Sequence, residues 1–180
     1  IDYGMSNLHS GIKSFQKAIN LNPNSVRVQF LISTILIKQN KLIEAEKSLL
    51  KVIKLDPSYD RAHSNLSVVY QKLGQLKKAS QSAHKAIAIN PNNADAYNNL
   101  GTILKGLGKY QEAHIAIENA IKIKPNFSDA FFNQGNLFRD IGNLNQAAIS
   151  MKKAIQINSK NAKALSNLGN ILKDLGQLKE

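Results

Sequence analysis

The sequence predicts an all-α protein, a solenoid of 34-residue helix-turn-helix repeats, and three observations carry that prediction. The only four prolines, Pro23, Pro57, Pro91 and Pro125, stand 34 residues apart. At the same period a very small residue recurs as Ser33, Ser67, Gly101, Gly135 and Gly169. A third series, Asn40, Gly74, Gly108, Gly142 and Gly176, supplies the residue types that most readily end a helix in the left-handed conformation. Self-similarity at a fixed period of this length is the mark of stacked supersecondary units.

Aligned on the period, the chain divides into full blocks 26–59, 60–93, 94–127 and 128–161, with partial repeats at 1–25 and 162–180. One step beyond Pro125 stands Ser159, so the last full block has lost its proline. In the first half of each block, apolar or small residues recur at block positions 4, 7, 8 and 11, as in Tyr97, Leu100, Gly101 and Leu104. That spacing gives a helix one packing face. Gly or Ser at position 8 lets two helix backbones approach closely, and the residue at position 15 ends the helix.

The second half of each block carries Ala45, Ala79, Ala113 and Ala147 at position 20, and Val52, Ala86, Ala120 and Ala154 at position 27. Small residues at these places predict close helix crossings. Proline at position 32 stops the second helix, because it lacks an N–H and its ring blocks the preceding turn. Residues 7–22 read as a second helix without a complete partner, and 177–180 stop where another would begin. A repeat cannot bury its apolar face alone, so the expectation is a single array cut from a longer protein, with uncapped ends on which a second copy can stack.

Small residues at positions 8, 20 and 27, a turn residue at 15 and proline at 32 resemble the tetratricopeptide repeat family. The resemblance covers nearly the whole chain and implies a right-handed superhelix with the first helices on its inner wall. Two positions depart from the family pattern: Gln29 at position 4 and Gln134 at position 7.

On that inner wall, positions 2, 6, 9 and 13 form a stripe opposite the packing face, at about 100° per residue. Position 6 holds Asn65, Asn99, Asn133 and Asn167. Asparagine is a mediocre helix former, so helix formation does not explain its recurrence. Its amide offers donors and an acceptor, suited to the backbone of an extended peptide in the groove. Helices about 9 Å apart would spread this ladder over roughly 27 Å, about eight extended residues. The alternative is that the amides bond to one another or to water across adjacent helices.

The runs from Asp129 to Asn136 and from Asn167 to Asn170 are similar to inner helices of the superhelix of O-linked N-acetylglucosamine transferase. By that resemblance the four asparagines hold a peptide backbone, with Asn136 and Asn170 beside them, and Asp95 and Asp129 read nearby side chains. The resemblance also opens the alternative of a substrate-recruiting arm of a larger transferase. Lys105, Arg139 and Lys173 recur at position 12, where a cation either complements the helix dipole or selects an acidic ligand. The Lys and Asn with which some tetratricopeptide domains begin a clamp for chaperone tails are replaced by Phe30 and Thr34.

The net charge of +12 raises the question of nucleic acid. The excess is spread along the chain with a maximum between residues 26 and 93, without a basic tail, and the aromatics at positions 4 and 11 are committed to packing; RNA binding is disfavoured. Zero cysteines remove thiolate chemistry, and no apolar run approaches the ~18 residues of a membrane span. With no leader-like start at Ile1–Ser10, the sequence reads as cytoplasmic. His9, His63, His84 and His114 fall at four different repeat positions, with no metal-ligand spacing. Gly106-Leu107-Gly108-Lys109 lacks P-loop spacing and lies where a first helix should end. The function expected is therefore a scaffold binding a protein or extended peptide, with no enzymatic activity and no cofactor.

Overall fold

The computed structural model describes residues 25–176; the helix expected at 7–22, Pro23 and His9 lie outside them. Among the described residues the chain is helical hairpins throughout. The first helices are α1 (Val26–Lys38), α3 (Asp60–Lys72), α5 (Ala94–Gly106), α7 (Ser128–Asp140) and α9 (Ala162–Asp174). They alternate with second helices α2 (Leu42–Leu55), α4 (Leu76–Ile89), α6 (Tyr110–Ile123) and α8 (Leu144–Ile157). The result is an all-α helical-repeat solenoid.

The turn chemistry follows the sequence closely. Gly74, Gly108, Gly142 and Gly176 have φ between 66° and 77°, and Asn40, at φ 58°, is the one non-glycine residue described there with positive φ. The Gly106-Leu107-Gly108-Lys109 segment is thus a helix stop, with the Lys109 N–H bonded back to the Leu104 carbonyl at 2.9 Å. At the repeat junctions, Asn90 and Asn158 accept the N–H two residues on, at 3.0 and 3.2 Å, and Asp56 does the same for Ser58. Asn158 thereby forms the same local turn although Ser159 replaces proline. Asn93 and Asn161 then cap α5 and α9 by accepting from Ala96 and Ala164.

Within each hairpin the small residues meet as expected. Ala45, Ala79, Ala113 and Ala147, with Val52, Ala86, Ala120 and Ala154, are fully buried. A Cβ added to Gly101 would run into Ile117 Cγ1 and lie 3.2 Å from the Ala113 carbonyl oxygen. A Cβ at Gly135 would lie 2.8 Å from Met151 Cε. Ser33 and Ser67 fit the same position in α1 and α3 because each hydroxyl donates to a carbonyl of its own helix, at 2.6 Å.

Burial corrects the assignment of a single packing face to the first helices. From the second block on, positions 3 and 10 are more deeply buried than position 4: Ala62, Ala96, Ala130 and Ala164, with Val69, Ile103, Leu137 and Ile171, are at most 1% exposed, whereas Leu165 at position 4 is 48% exposed. Each first helix from α3 on packs against the preceding second helix, and α3, α5 and α7 also pack on their own hairpin partners, so these helices need a second apolar stripe. The core forms two clusters. One runs from Phe30 to Leu137; the other gathers Ala147, Met151, Ala154, Ala164 and Ile171. Helix α7 contributes to both, Ala130 and Leu137 to the first and Phe131, Phe132 and Phe138 to the second.

Candidate functional site

The inner stripe is positioned by this double packing. Position 6 lies on the helix wheel about 40° from position 10 and about 60° from position 3, both buried between repeats from the second block on. A side chain there borders that contact and is only partly covered by it. Asn65, Asn99, Asn133 and Asn167 are accordingly half-buried.

Three of them donate laterally to the preceding first helix. Asn99 Nδ2 reaches Ser64 Oγ at 3.2 Å, Asn133 Nδ2 reaches Asn98 Oδ1 at 2.9 Å, and Asn167 Nδ2 reaches Asn136 Oδ1 at 2.8 Å. The residue 35 back from Asn65, the offset used by Asn99 and Asn133, is Phe30, whose side chain cannot accept. Three members of the ladder are thus an inter-repeat bonding series, and Asn65 and Asn99 also line a cleft. Ser64 and Asn98, at position 5, are members the sequence reading missed. Their signal was a polar residue beside the stripe at the angle facing the next helix.

The remaining predicted residues fall in three groups. Asp95 joins Asn65 and Asn99 around a cleft of about 290 Å³ that spans α1, α3 and α5, together with Arg61, Thr34 and Val68. Arg61 stacks over the Phe30 ring, 5.1 Å from its centroid. Asp129 and Asn170 on the stripe, and Lys173 next to it at position 12, are exposed and outside that cleft. Lys105 is held by Asp140 of the next first helix, Nζ to Oδ2 at 2.6 Å, whereas Arg139 is half-buried. Gln71 Nε2 similarly donates to Thr102 Oγ1 at 3.0 Å across α3 and α5.

The junction beneath the cleft is tied by a carboxylate. Asn90 and Asn93 both donate through Nδ2 to Asp60 Oδ2, at 2.7 and 2.8 Å. Asn93 also caps α5, so one side chain links the start of α3 to the start of α5, the helix that carries Asp95 and Asn99. His63 lies nearby with Nε2 3.2 Å from the Pro57 carbonyl. Burial lowers its pKa, and the Lys85 charge adds to that direction. The histidines stay apart, and among the described residues no three His, Cys, Asp or Glu side chains gather as a metal site. No helix among them is long and apolar enough to cross a membrane.

Stacked helical hairpins define a helical-repeat interaction protein. Models described as Tetratricopeptide repeat match residues 60–93 and 85–115, and one described as TPR repeat matches 34–74 and 135–176. The chain belongs to the tetratricopeptide repeat family and is a protein-interaction scaffold. It resembles the crystal structure of MamA, with 27% identity and a TM-score of 0.68, over 91% of this chain and 98% of that one. It resembles YrrB, described as a TPR protein with an unusual peptide-binding site, with 24% identity and a TM-score of 0.63, over 92% and 85% of the two chains. TTC0263, a TPR protein of Thermus thermophilus, shares the fold at a TM-score of 0.83, with 18% identity over 95% and 93%. No curated protein sequence matches the chain.

Proposed function

We propose that the chain is a non-catalytic scaffold whose concave groove holds an extended segment of a partner protein, with the asparagine stripe as its backbone-binding element. The observation that carries this reading is the cleft spanning three successive first helices, lined by Asn65, Asn99 and Asp95. The lateral bonds support it, because each uses an Nδ2 donor of Asn99, Asn133 or Asn167 and leaves the amide oxygen for a peptide N–H. An amide already anchored on its neighbour loses little rotamer freedom when a ligand arrives.

Arg61 and Asp95 flank the cleft with opposite charges and select side chains at that end. Further along, Asn136, Asn170 and Asp129 extend the polar stripe. Since Lys105 is paired with Asp140, Arg139 and Lys173 are the position-12 cations that meet an acidic side chain. The test is Asn65→Ala, which removes a groove amide without breaking a lateral bond. Captured partner peptides should bind it about tenfold more weakly at unchanged thermal stability; equal affinity would sink the peptide-holding role of the stripe.

A further inference from the structure

A larger cleft lies on the opposite side of the array, between the second helices α6 and α8. Its volume is about 830 Å³. The floor comes from α7 as Phe131, Gln134 and Phe138; His114 and Glu118 form one wall, and Ile149, Lys152 and Lys153 stand on the other. No residue of the asparagine stripe lines it.

Several features of this cleft go beyond what stacking repeats requires. Gln134 stands where the other blocks have Ile32, Leu66, Leu100 and Leu168, and its Oε1 accepts from Ser150 Oγ at 3.0 Å. An amide therefore occupies a position that packing would give to a leucine. His114 keeps its Nδ1 buried without a hydrogen-bond partner while Nε2 faces Glu118 at 3.5 Å. A buried, unpaired polar atom is unfavourable for the folded chain, so stacking alone does not account for a histidine in this wall. Ile149 is 58% exposed at the rim. Lys152 and Lys153 are exposed beside it, and the Lys153 ammonium donates to the Gln156 amide oxygen at 3.3 Å.

We propose that this cleft is a second docking site, taking a short acidic, amphipathic segment of a partner protein. Its bulky apolar side chain lies on Phe131 and Phe138, and its carboxylates meet Lys152 and Lys153. Charge complementarity fixes that choice: an apolar floor with two cations on one rim, in a chain of net charge +12, calls for apolar and acidic groups together. The wall from Gln146 to Gln156 is about 15 Å of helix, matched by about five extended residues. Glu118 on the facing wall and the concavity of the site disfavour a phosphate backbone or a lipid surface. The site is independent of the concave groove and stands or falls separately.

The experiment uses a short synthetic peptide in which phenylalanine alternates with glutamate, read by amide chemical-shift mapping and fluorescence anisotropy on the full chain. Saturable shifts at His114, Ile149 and Lys153 are expected, with affinity reduced about tenfold in Lys152→Glu/Lys153→Glu and reduced also in Ile149→Ser, and unchanged in Asn65→Ala. These positions are exposed, and circular dichroism checks that the variants stay folded. A peptide with lysine in place of glutamate should not bind. Absence of binding, shifts confined to the concave stripe, or equal affinity for the charge-reversed variant would overturn the proposal.

Discussion

Asn133 reaches back to the preceding repeat and places its Nδ2 2.9 Å from Oδ1 of Asn98, a residue only 7% exposed. The bond gives a buried amide oxygen its partner, so Asn133→Ala leaves that oxygen unsatisfied. The expected loss is about 1–3 kcal/mol in denaturant unfolding. Asn65→Ala breaks no such pair and should change stability by less than about 0.5 kcal/mol. Equal losses at the two positions would mean that the lateral bond carries no stability.

The Asp60 carboxylate is a junction bolt, since Asn90 and Asn93 both donate to its Oδ2. Asp60→Ala removes both bonds and strands the buried Asn93 amide, at about 2 kcal/mol after allowance for partial exposure. Asp60→Asn, which keeps one acceptor oxygen, should recover part of the loss. Thermal melts of the two variants side by side measure the difference.

Gly101 has no room for a side chain, because even a Cβ meets Ile117 and the Ala113 carbonyl. Gly101→Leu should destabilise by about 3 kcal/mol through forced separation of α5 and α6. Gly106, whose added Cβ would meet Leu76 at ordinary contact distances from 3.5 Å, should accept alanine without loss. Chemical denaturation of Gly101→Leu and Gly106→Ala checks the contrast.

His63 couples stability to pH. Its folded pKa is lowered, chiefly by burial, so the unfolded chain takes up the proton more readily. Its contribution is fully present above the ordinary histidine pKa of about 6.5 and is lost as pH falls through the lower folded value. The melting temperature should drop between neutral pH and about pH 5, and His63→Gln should flatten that part of the profile. A variant with the wild-type pH dependence would remove His63 as the cause.

Much of this fold is legible in the sequence because its period fixes both ends of every helix. Asn40 and the four glycines end the first helices, and the alanines at positions 20 and 27 mark the closest contacts. What escaped was lateral. Positions 3 and 10 repeat as Ala62 and Val69, Ala96 and Ile103, but a wheel drawn for one packing face discards them, since contact with the preceding hairpin forms only after hairpins stack. For the same reason the pairing of Lys105 with Asp140, 35 residues on, and the partners of Asn99, Asn133 and Asn167 depend on the register of separate helices. Gln134 was visible as a departure, whereas the space around it was not.

Helix α7 lends one side to each of two apolar clusters, which touch through it rather than merging. Bending concentrated there would alter the pitch of the superhelix at one joint while both halves stay intact. A ligand held as proposed from Asn99 to Asn167 would cross that joint and brace the two halves against each other.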